Sequence, residues 1–494
     1  MNDNMRPQVP KKVVVVGGGT AGWMTAILLK NSWAETEVQV IESPEIPIIG
    51  VGEGSTPALK YFFKLLGIED EEWMAHCNAT YKVGIEFPGW STIKGHESYF
   101  HPFFSALDSQ TSSAFVKQVG KWRMGEHVNV LPDNYFVASA LAKHNKSIKT
   151  ERPLPVELDY GYHFDSVLLG DFLRLKSVES GVLHDVKTIT SVKSTNGNII
   201  SLHTDDGEVV TADLFIDCTG FAGVLVNKAL KRSFHSYKSE LFNDAAVAIQ
   251  TPKLDEHLSS KTTSIAMSNG WRWHIPLRSR DGNGYVYSSE HITRDEAEAE
   301  LRLALGDIAE GCKAKHLDMK VGRLKQHLAG NCLAVGLSQG FIEPLEATAL
   351  MLVQYTVTSY IGHVHQESTQ KDFNDKISAQ FDGIKDYVVC HYKVNSLDGL
   401  YWQQCRDNEA ISAKLKAILS AWRSEMDLEA KTKQLFEHSS YAKASWYSIL
   451  CGMGVHTTAQ KNTDFGIDPL TEKAKLYCEE TAALFIEQSA LFAR

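Results

Sequence analysis

The chain has 494 residues and a formal net charge of −10, with 43% hydrophobic and 22% charged residues. That length predicts two to four domain-sized units and a large core. The acidic balance, with no lysine or arginine block, argues against a nucleic-acid partner and an anionic membrane surface. Cys77, Cys218, Cys312, Cys332, Cys390, Cys405, Cys451 and Cys478 are scattered and form no CxxC. That is the pattern of free thiols in a reducing cytoplasm rather than of a disulfide scaffold or a zinc knuckle.

Lys11 and Lys12 precede VVVVGGGTAGWMTAILL, an uncharged run that resembles a signal peptide. Three consecutive glycines break it, no small-residue cleavage site follows Leu29, and it is short of the roughly 20 residues that span a bilayer. It reads as strand, glycine turn and helix. VQVIE (38–42) is the next strand, which makes residues 13–42 a βαβ unit. Residues 43–57, rich in proline and glycine, read as an ordered loop. Residues 60–80 read as helical. YKVGIEF (81–87) alternates as a strand, with Tyr81, Val83, Ile85 and Phe87 on one face and Lys82 and Glu86 on the polar one. Residues from 105 to about 150–160 are polar and predict an irregular insertion.

GDFLRLKSVESG (170–181) predicts a helix. VKTITSV, IISLHT and DLFIDCTG follow as strands, and AAVAIQTP, WRWHIPL and GYVYSS form a second strand-rich zone. DEAEAELRLALG (295–306) is an amphipathic helix, and CLAVG (332–336) is a buried strand before a glycine turn. Beyond residue 345 strand patterns nearly vanish. LMLVQYTVTSYIGHV, AISAKLKAILSAWRSEM and KAKLYCEETAALFIEQSALFA read as helices. The fold class is α/β: a Rossmann-like nucleotide-binding body over residues 1–350 with interleaved strands, and a helical region over 351–494 packed on it.

Gly17-Gly18-Gly19-Thr20-Ala21-Gly22 is a G-x-G-x-x-G that follows a strand and opens a helix. Glu42 ends the second strand, twenty residues past Gly22. In that context the glycines let the backbone approach a pyrophosphate at the helix N-terminus, and Glu42 accepts from a ribose hydroxyl. Glu42 disfavours a 2′-phosphate. A second strand ending on Thr219-Gly220 resembles FAD proteins of the glutathione-reductase type. No second complete glycine motif for NAD(P)H is present, so FAD is favoured, with electrons from elsewhere.

Gly336-Leu337-Ser338-Gln339-Gly340 matches the G-x-S-x-G nucleophile elbow. The strand order is wrong for a hydrolase and no oxyanion loop precedes it, so a glycine turn beneath a flavin is the better reading. By alternation Lys82 is a solvated lysine, and Glu346 is by default a surface carboxylate near a helix start. His363 and His365, two apart, suit no helical metal pair, and no metal is expected. Trp271 and Trp273 share a strand face and read first as core.

Together GGGTAGW, VGEGSTP, TYKVGIEF, GWRWHIP and GFIEPLEATAL resemble the flavin-dependent tryptophan halogenase family, from about Val13 to Gly454. The resemblance implies a two-component enzyme. A separate flavin reductase, meeting it only through diffusible reduced FAD, would supply the cofactor. Oxygen and chloride or bromide would then yield hypohalous acid, which travels to a lysine beside an aromatic substrate.

The family's lysine falls on Lys82 and its glutamate on Glu346. Its halide-binding amides fall on Thr348 and Ala349. The loop Ser43–Ser55, with Glu53 and Gly54, resembles the strap that couples flavin to lysine, and Val186, Leu337 and Leu350 match positions that touch FAD. His101, Phe103 and Tyr441 match substrate positions. Trp271 and Trp273 would line the body and keep an organic substrate from the flavin.

This chain departs from the family in two places. Ala347 stands where the family has a serine, and the clamp for free tryptophan has no clear counterpart: Phe436 and Tyr441 stand near it, and Glu437 does not align. An indole-like aromatic is therefore expected over free tryptophan, in a cytoplasmic monomer or homodimer. The alternatives are a two-component flavin monooxygenase and a non-catalytic FAD-binding protein.

Overall fold

The computed structural model describes residues 8–44, 52–154, 156–253, 257–366, 368–424, 441–457, 466 and 468–492. The valine-rich strand Lys12–Val16 pairs in parallel with Glu37–Glu42 on one side and Leu214–Asp217 on the other. Leu183–Val186 extends the sheet at one edge; Cys332–Ala334 and the short antiparallel Leu328–Ala329 extend it at the other. The apolar run after Lys12 is thus a buried strand followed by the helix Thr20–Ser32, whose residues from Gly22 to Leu29 are all buried. That helix lies between the sheet and the helices Ser166–Glu179 and Ala349–His365, which is why it is apolar all round. Among the described residues no helix is long and apolar enough to cross a membrane.

A second, seven-stranded sheet holds Gly270–Pro276 near its middle, flanked by Lys261–Met267 and Asp281–Tyr287. A small third sheet joins Gly52–Gly54, Gly161–Asp165 and Thr80–Lys82, and its strand Gly52–Gly54 packs against Gly270–Pro276 and Asp281–Tyr287 of the seven-stranded one. The chain leaves this small sheet at Val83 and enters the large one at Gly84–Pro88. The single strand expected over 81–87 is therefore two, in different sheets. Both faces of Thr80–Lys82 are covered, so alternation failed to report solvent and Lys82 is fully buried.

Other expectations also change. The helix expected over 60–80 is two, Ala58–Leu66 and Asp70–Met74, because Gly67 turns left-handed at φ +68°. Residues 105–150 are not irregular: they form the helices Ser109–Arg123 and Val137–Lys143 and the strand Lys146–Thr150. The single helix expected over 473–493 stops at Ala482, Phe485–Glu487 pairs with that strand, and a short helix Gln488–Phe492 follows. The longest helix among the described residues, Gln370–Lys393, falls in the region expected to be helical but is not singled out by its sequence, although Thr369 and Asp372 form a capping box at its start.

Candidate functional site

At the glycine turn, packing explains two of the glycines. A Cβ on Gly17, at φ +111°, would lie 2.4 Å from the Cys218 carbonyl oxygen, and one on Gly22 would lie 1.9 Å from that of Gly17. Gly19 meets nothing, and no side chain caps the helix it opens. Its open amide end suits an anion. The Glu42 carboxylate lies over Gly18, whose Cβ would come within 1.7 Å of it, and its other oxygen is 2.6 Å from His184 Nε2.

Val186 pairs with Glu42 in register and is exposed. The hydroxyl of Thr20 donates to the Ser166 carbonyl, and Ala21 abuts the position of a Gly336 Cβ. Ser43 meets Thr188 at 3.0 Å. The Asp217 carboxylate accepts from Thr219 and from the amides of Leu225 and Val226, which fixes the Thr-Gly turn. Glycine turn, open helix end and Glu42 together fit a dinucleotide at the ends of parallel strands.

Leu337 lies in the short turn Gly336–Ser338 and Leu350 in the first turn of Ala349–His365. Ser338 is buried with its hydroxyl against the carbonyls of Asp217 and Val335, one of which takes its proton, so it is turn structure rather than a nucleophile. A fluorophosphonate probe should leave Ser338 unlabelled, as read by mass spectrometry of the intact protein.

Residues 45–51, most of the expected strap, lie outside the described residues, as do Phe436 and Glu437. Glu53 and Gly54 lie in the edge strand of the small sheet. Glu53 keeps some exposure as a residue. Its carboxyl is nonetheless pushed up to about 7, mainly by loss of water, with Ser166 opposing and Asp165 reinforcing.

Lys82 and Thr80 stand opposite Gly161 and His163, and His163 stands opposite Gly54. Paired residues share a face, so these five meet on one side of the small sheet. Two of them are glycines, which leaves room for the lysine. Its ammonium is 5.5 Å from the Phe103 ring centroid and has no hydrogen-bond partner among the described residues. Burial lowers its pKa to about 7, and only the charge of Glu346 opposes that.

Glu346 is also buried, contrary to the surface reading. It closes the turn Pro344–Glu346, and Ala347 takes the left-handed conformation at φ +54° before the helix Ala349–His365. Thr348 precedes that helix with no side-chain cap, and Ala349 is exposed. One Glu346 oxygen is 3.1 Å from His101 Nδ1; the other, without a hydrogen bond, is 3.4 Å from His391 Nε2. His391 donates through Nδ1 to the Tyr387 carbonyl at 3.2 Å, which leaves Nε2 to accept from the Tyr99 hydroxyl at 2.9 Å. Burial pushes the His391 pKa down to about 4, against the pull of Glu346. Tyr387 stacks on Tyr441 with ring centroids 3.6 Å apart and lies 5.7 Å from His101.

The sequence singled out His101 and Tyr441 but missed His391, Tyr387 and Tyr99. Histidine and tyrosine on an apolar helix face, or tyrosine within a buried strand such as Ser98–Pro102, carry no signal of their own.

Trp271 and Trp273 are both buried, with centroids 6.2 Å apart. The Trp273 ring lies across Gly284, where a Cβ would come within 2.0 Å of it. Trp271 donates from Nε1 to Glu343 at 3.3 Å. Glu343 also accepts from Asn243 at 3.0 Å and from the Tyr392 hydroxyl. Burial raises its carboxyl to about 7 despite these donors. Sequence analysis missed Glu343, three residues before Glu346.

Comparison with known proteins adds the following. A family model described as tryptophan halogenase matches residues 12–465. The chain is 33% identical over 478 residues to 7-chloro-L-tryptophan 6-halogenase KtzR of Kutzneria sp. (strain 744), covering 90% of this chain and 91% of that one. It is 32% identical to tryptophan 7-halogenase RebH of Lentzea aerocolonigenes over 489 residues, 90% of this chain and 89% of that one. Among solved structures, tryptophan 6-halogenase SttH of Streptomyces toxytricini superposes with a TM-score of 0.85 at 31% identity, over 98% of this chain and 100% of that one. The flavin-dependent halogenase BrvH of Brevundimonas sp. BAL3 gives a TM-score of 0.84 at 29% identity, over 99% of each chain.

Proposed function

The chain belongs to the tryptophan halogenase family, and from that premise we propose that it chlorinates or brominates an indole-bearing aromatic, with Lys82 and Glu346 as the catalytic pair. The observation that carries this reading is the pairing itself. The charge of the buried Glu346 carboxylate acts on the buried Lys82 ammonium, and each group has an atom without a hydrogen bond.

FAD, delivered reduced by a separate flavin reductase, would when bound supply hypohalous acid from dioxygen and halide. Gly17, Gly19, Thr20, Ala21, Gly22, Glu42, Ser43, Val186, Leu337 and Leu350 would hold it. The amides of Thr348 and Ala349, at an uncapped helix start, hold the halide.

Lys82 donates a hydrogen bond to the oxygen of the acid and makes the halogen electrophilic. The ring carbon bonds to the halogen as the oxygen–halogen bond breaks. The departing hydroxide takes a proton from Lys82 and leaves as water. Glu346 takes the proton from the ring carbon, and passing it back to Lys82 resets the pair. His101, Phe103 and the stacked Tyr387–Tyr441 pair frame the aromatic substrate.

The test is purified protein with FAD, a flavin reductase, NADH, bromide or chloride, and an indole panel read by mass spectrometry. The expected result is a halide-dependent mass shift. A hydroxylated product independent of halide identifies a monooxygenase instead. Peroxide release with no organic product identifies a non-catalytic flavoprotein.

A further inference from the structure

A hydrogen-bonded chain runs from the W-x-W-x-I-P strand to the neighbourhood of Lys82, and its polarity is fixed at one end. The Thr80 hydroxyl donates to the Pro276 carbonyl at 3.2 Å. A carbonyl only accepts, so the single proton of that hydroxyl is spent. The contact of 3.2 Å between Thr80 Oγ1 and His163 Nδ1 must then be donated by Nδ1–H. His163 is buried, and burial followed by the charge of Lys82 holds its pKa well below the ordinary value, so the ring is neutral. Its Nε2 is therefore bare and accepts from the Thr262 hydroxyl at 2.9 Å. Thr262 has then spent its own proton too, and its oxygen offers only lone pairs to what lies beyond.

What lies beyond is Lys82. A Cβ on Gly54 would sit 3.1 Å from Lys82 Nζ and 3.2 Å from Thr262 Oγ1. Both polar atoms converge on the bare face of Gly54, yet Lys82 Nζ has no hydrogen bond to Thr262 or to any other described residue. Both atoms border the one small space over Gly54, and a single group bridging them there would need an acceptor for the lysine and a proton for the threonine. Hypohalous acid is such a group: its oxygen accepts and its O–H donates.

Resting on the halogenase reading above, we infer that Thr262, with its hydroxyl turned by His163, is a further catalytic residue that accepts the O–H of hypohalous acid held by Lys82 against Gly54. With the oxygen held at both ends, the halogen is the one atom left to point at the substrate. His163 and Thr80 act through Thr262 and are positioning residues. The Pro276 carbonyl makes the W-x-W-x-I-P strand the anchor of that orientation.

Two measurements test this. In the resting full-length protein, nitrogen-15 NMR of histidine, assigned by the signal lost in His163→Gln, should show His163 as the Nδ1–H tautomer. An Nε2–H tautomer overturns the inference, and this readout needs no turnover. In turnover, Thr262→Val should lower halogenated product per reduced flavin by about tenfold, the cost of one lost hydrogen bond between neutral groups. The missing halogen should appear as free hypohalous acid caught by a scavenger, and Thr262→Ser should restore the yield.

Gly54→Ala should show the same leak, because its methyl group would press on both polar atoms; it keeps the threonine should the valine variant fold poorly. An unchanged product yield in both Thr262→Val and Gly54→Ala overturns the inference. Wild-type protein that binds FAD and halogenates nothing refutes the halogenase reading itself, and the tautomer measurement still decides the orientation of Thr262.

Discussion

Lys82→Met abolishes halogenated product and at the same time makes the protein more stable. The loss of product follows from removing the ammonium proposed to hold the hypohalous acid, and should exceed about a hundredfold. The gain in stability follows from the depressed pKa. Burial moves the Lys82 pKa from the ordinary 10.5 to about 7. Between those values the unfolded chain binds a proton that the folded protein does not, so stability rises with pH across that window. Below pH 7 both states are protonated and the whole cost of the buried charge remains. Methionine fills similar volume without that cost, worth on the order of a few kcal/mol near neutral pH.

Differential scanning calorimetry should therefore show the variant melting a few degrees above wild type at pH 6–7, with the gap closing as pH rises toward 10. A lower midpoint for the variant would show that the ammonium is stabilised by something other than Glu346. Wild-type activity should fall as pH rises through about 7, because the ammonium charge that polarises the acid and the proton it gives the departing hydroxide are lost there.

Trp271→Ala should be the most destabilising change of the tryptophan pair. It removes a buried indole and leaves a cavity, at about 3–5 kcal/mol. It also takes one donor from Glu343, which has no exposure to water to replace it. Trp271→Phe separates the two effects: the ring is kept and the donor lost, for about 1–3 kcal/mol. If the pair also keeps substrate from the flavin, Trp271→Ala with Trp273→Ala yields hydroxylated product alongside halogenated product. Unchanged products with a lowered melting midpoint would return both rings to structural core. Denaturant unfolding and product mass spectrometry, run on the same preparations, read the two roles apart.

The flavin-side architecture was legible because backbone geometry demands particular residues there. Gly17 and Gly22 have no room for a Cβ, and four valines in a row fit only a strand covered on both faces. The reactive side was much less legible. Lys82 read as solvated because alternation assumes one strand in one sheet, and the chain changes sheets at Val83. Glu346 read as a surface carboxylate because nothing local announces that His101 and His391 close over it from a strand and a helix far away in sequence. Thr262, His163 and Glu343 matter through partners more than seventy residues distant. Such couplings are set by tertiary packing, and a single sequence carries no local signature of them.

The mooring of Lys82 has a corollary for how such a chain can diversify. The lysine, Gly54 and His163 are cross-braced by backbone pairing in one small sheet, whereas Tyr387 and His391 are presented by a helix. Helices can trade a ring for another side chain, or roll slightly, without breaking a ladder of hydrogen bonds. A lineage can therefore reshape what its substrate touches while the lysine stays where it is, and new ring positions can be reached without rebuilding the reactive centre.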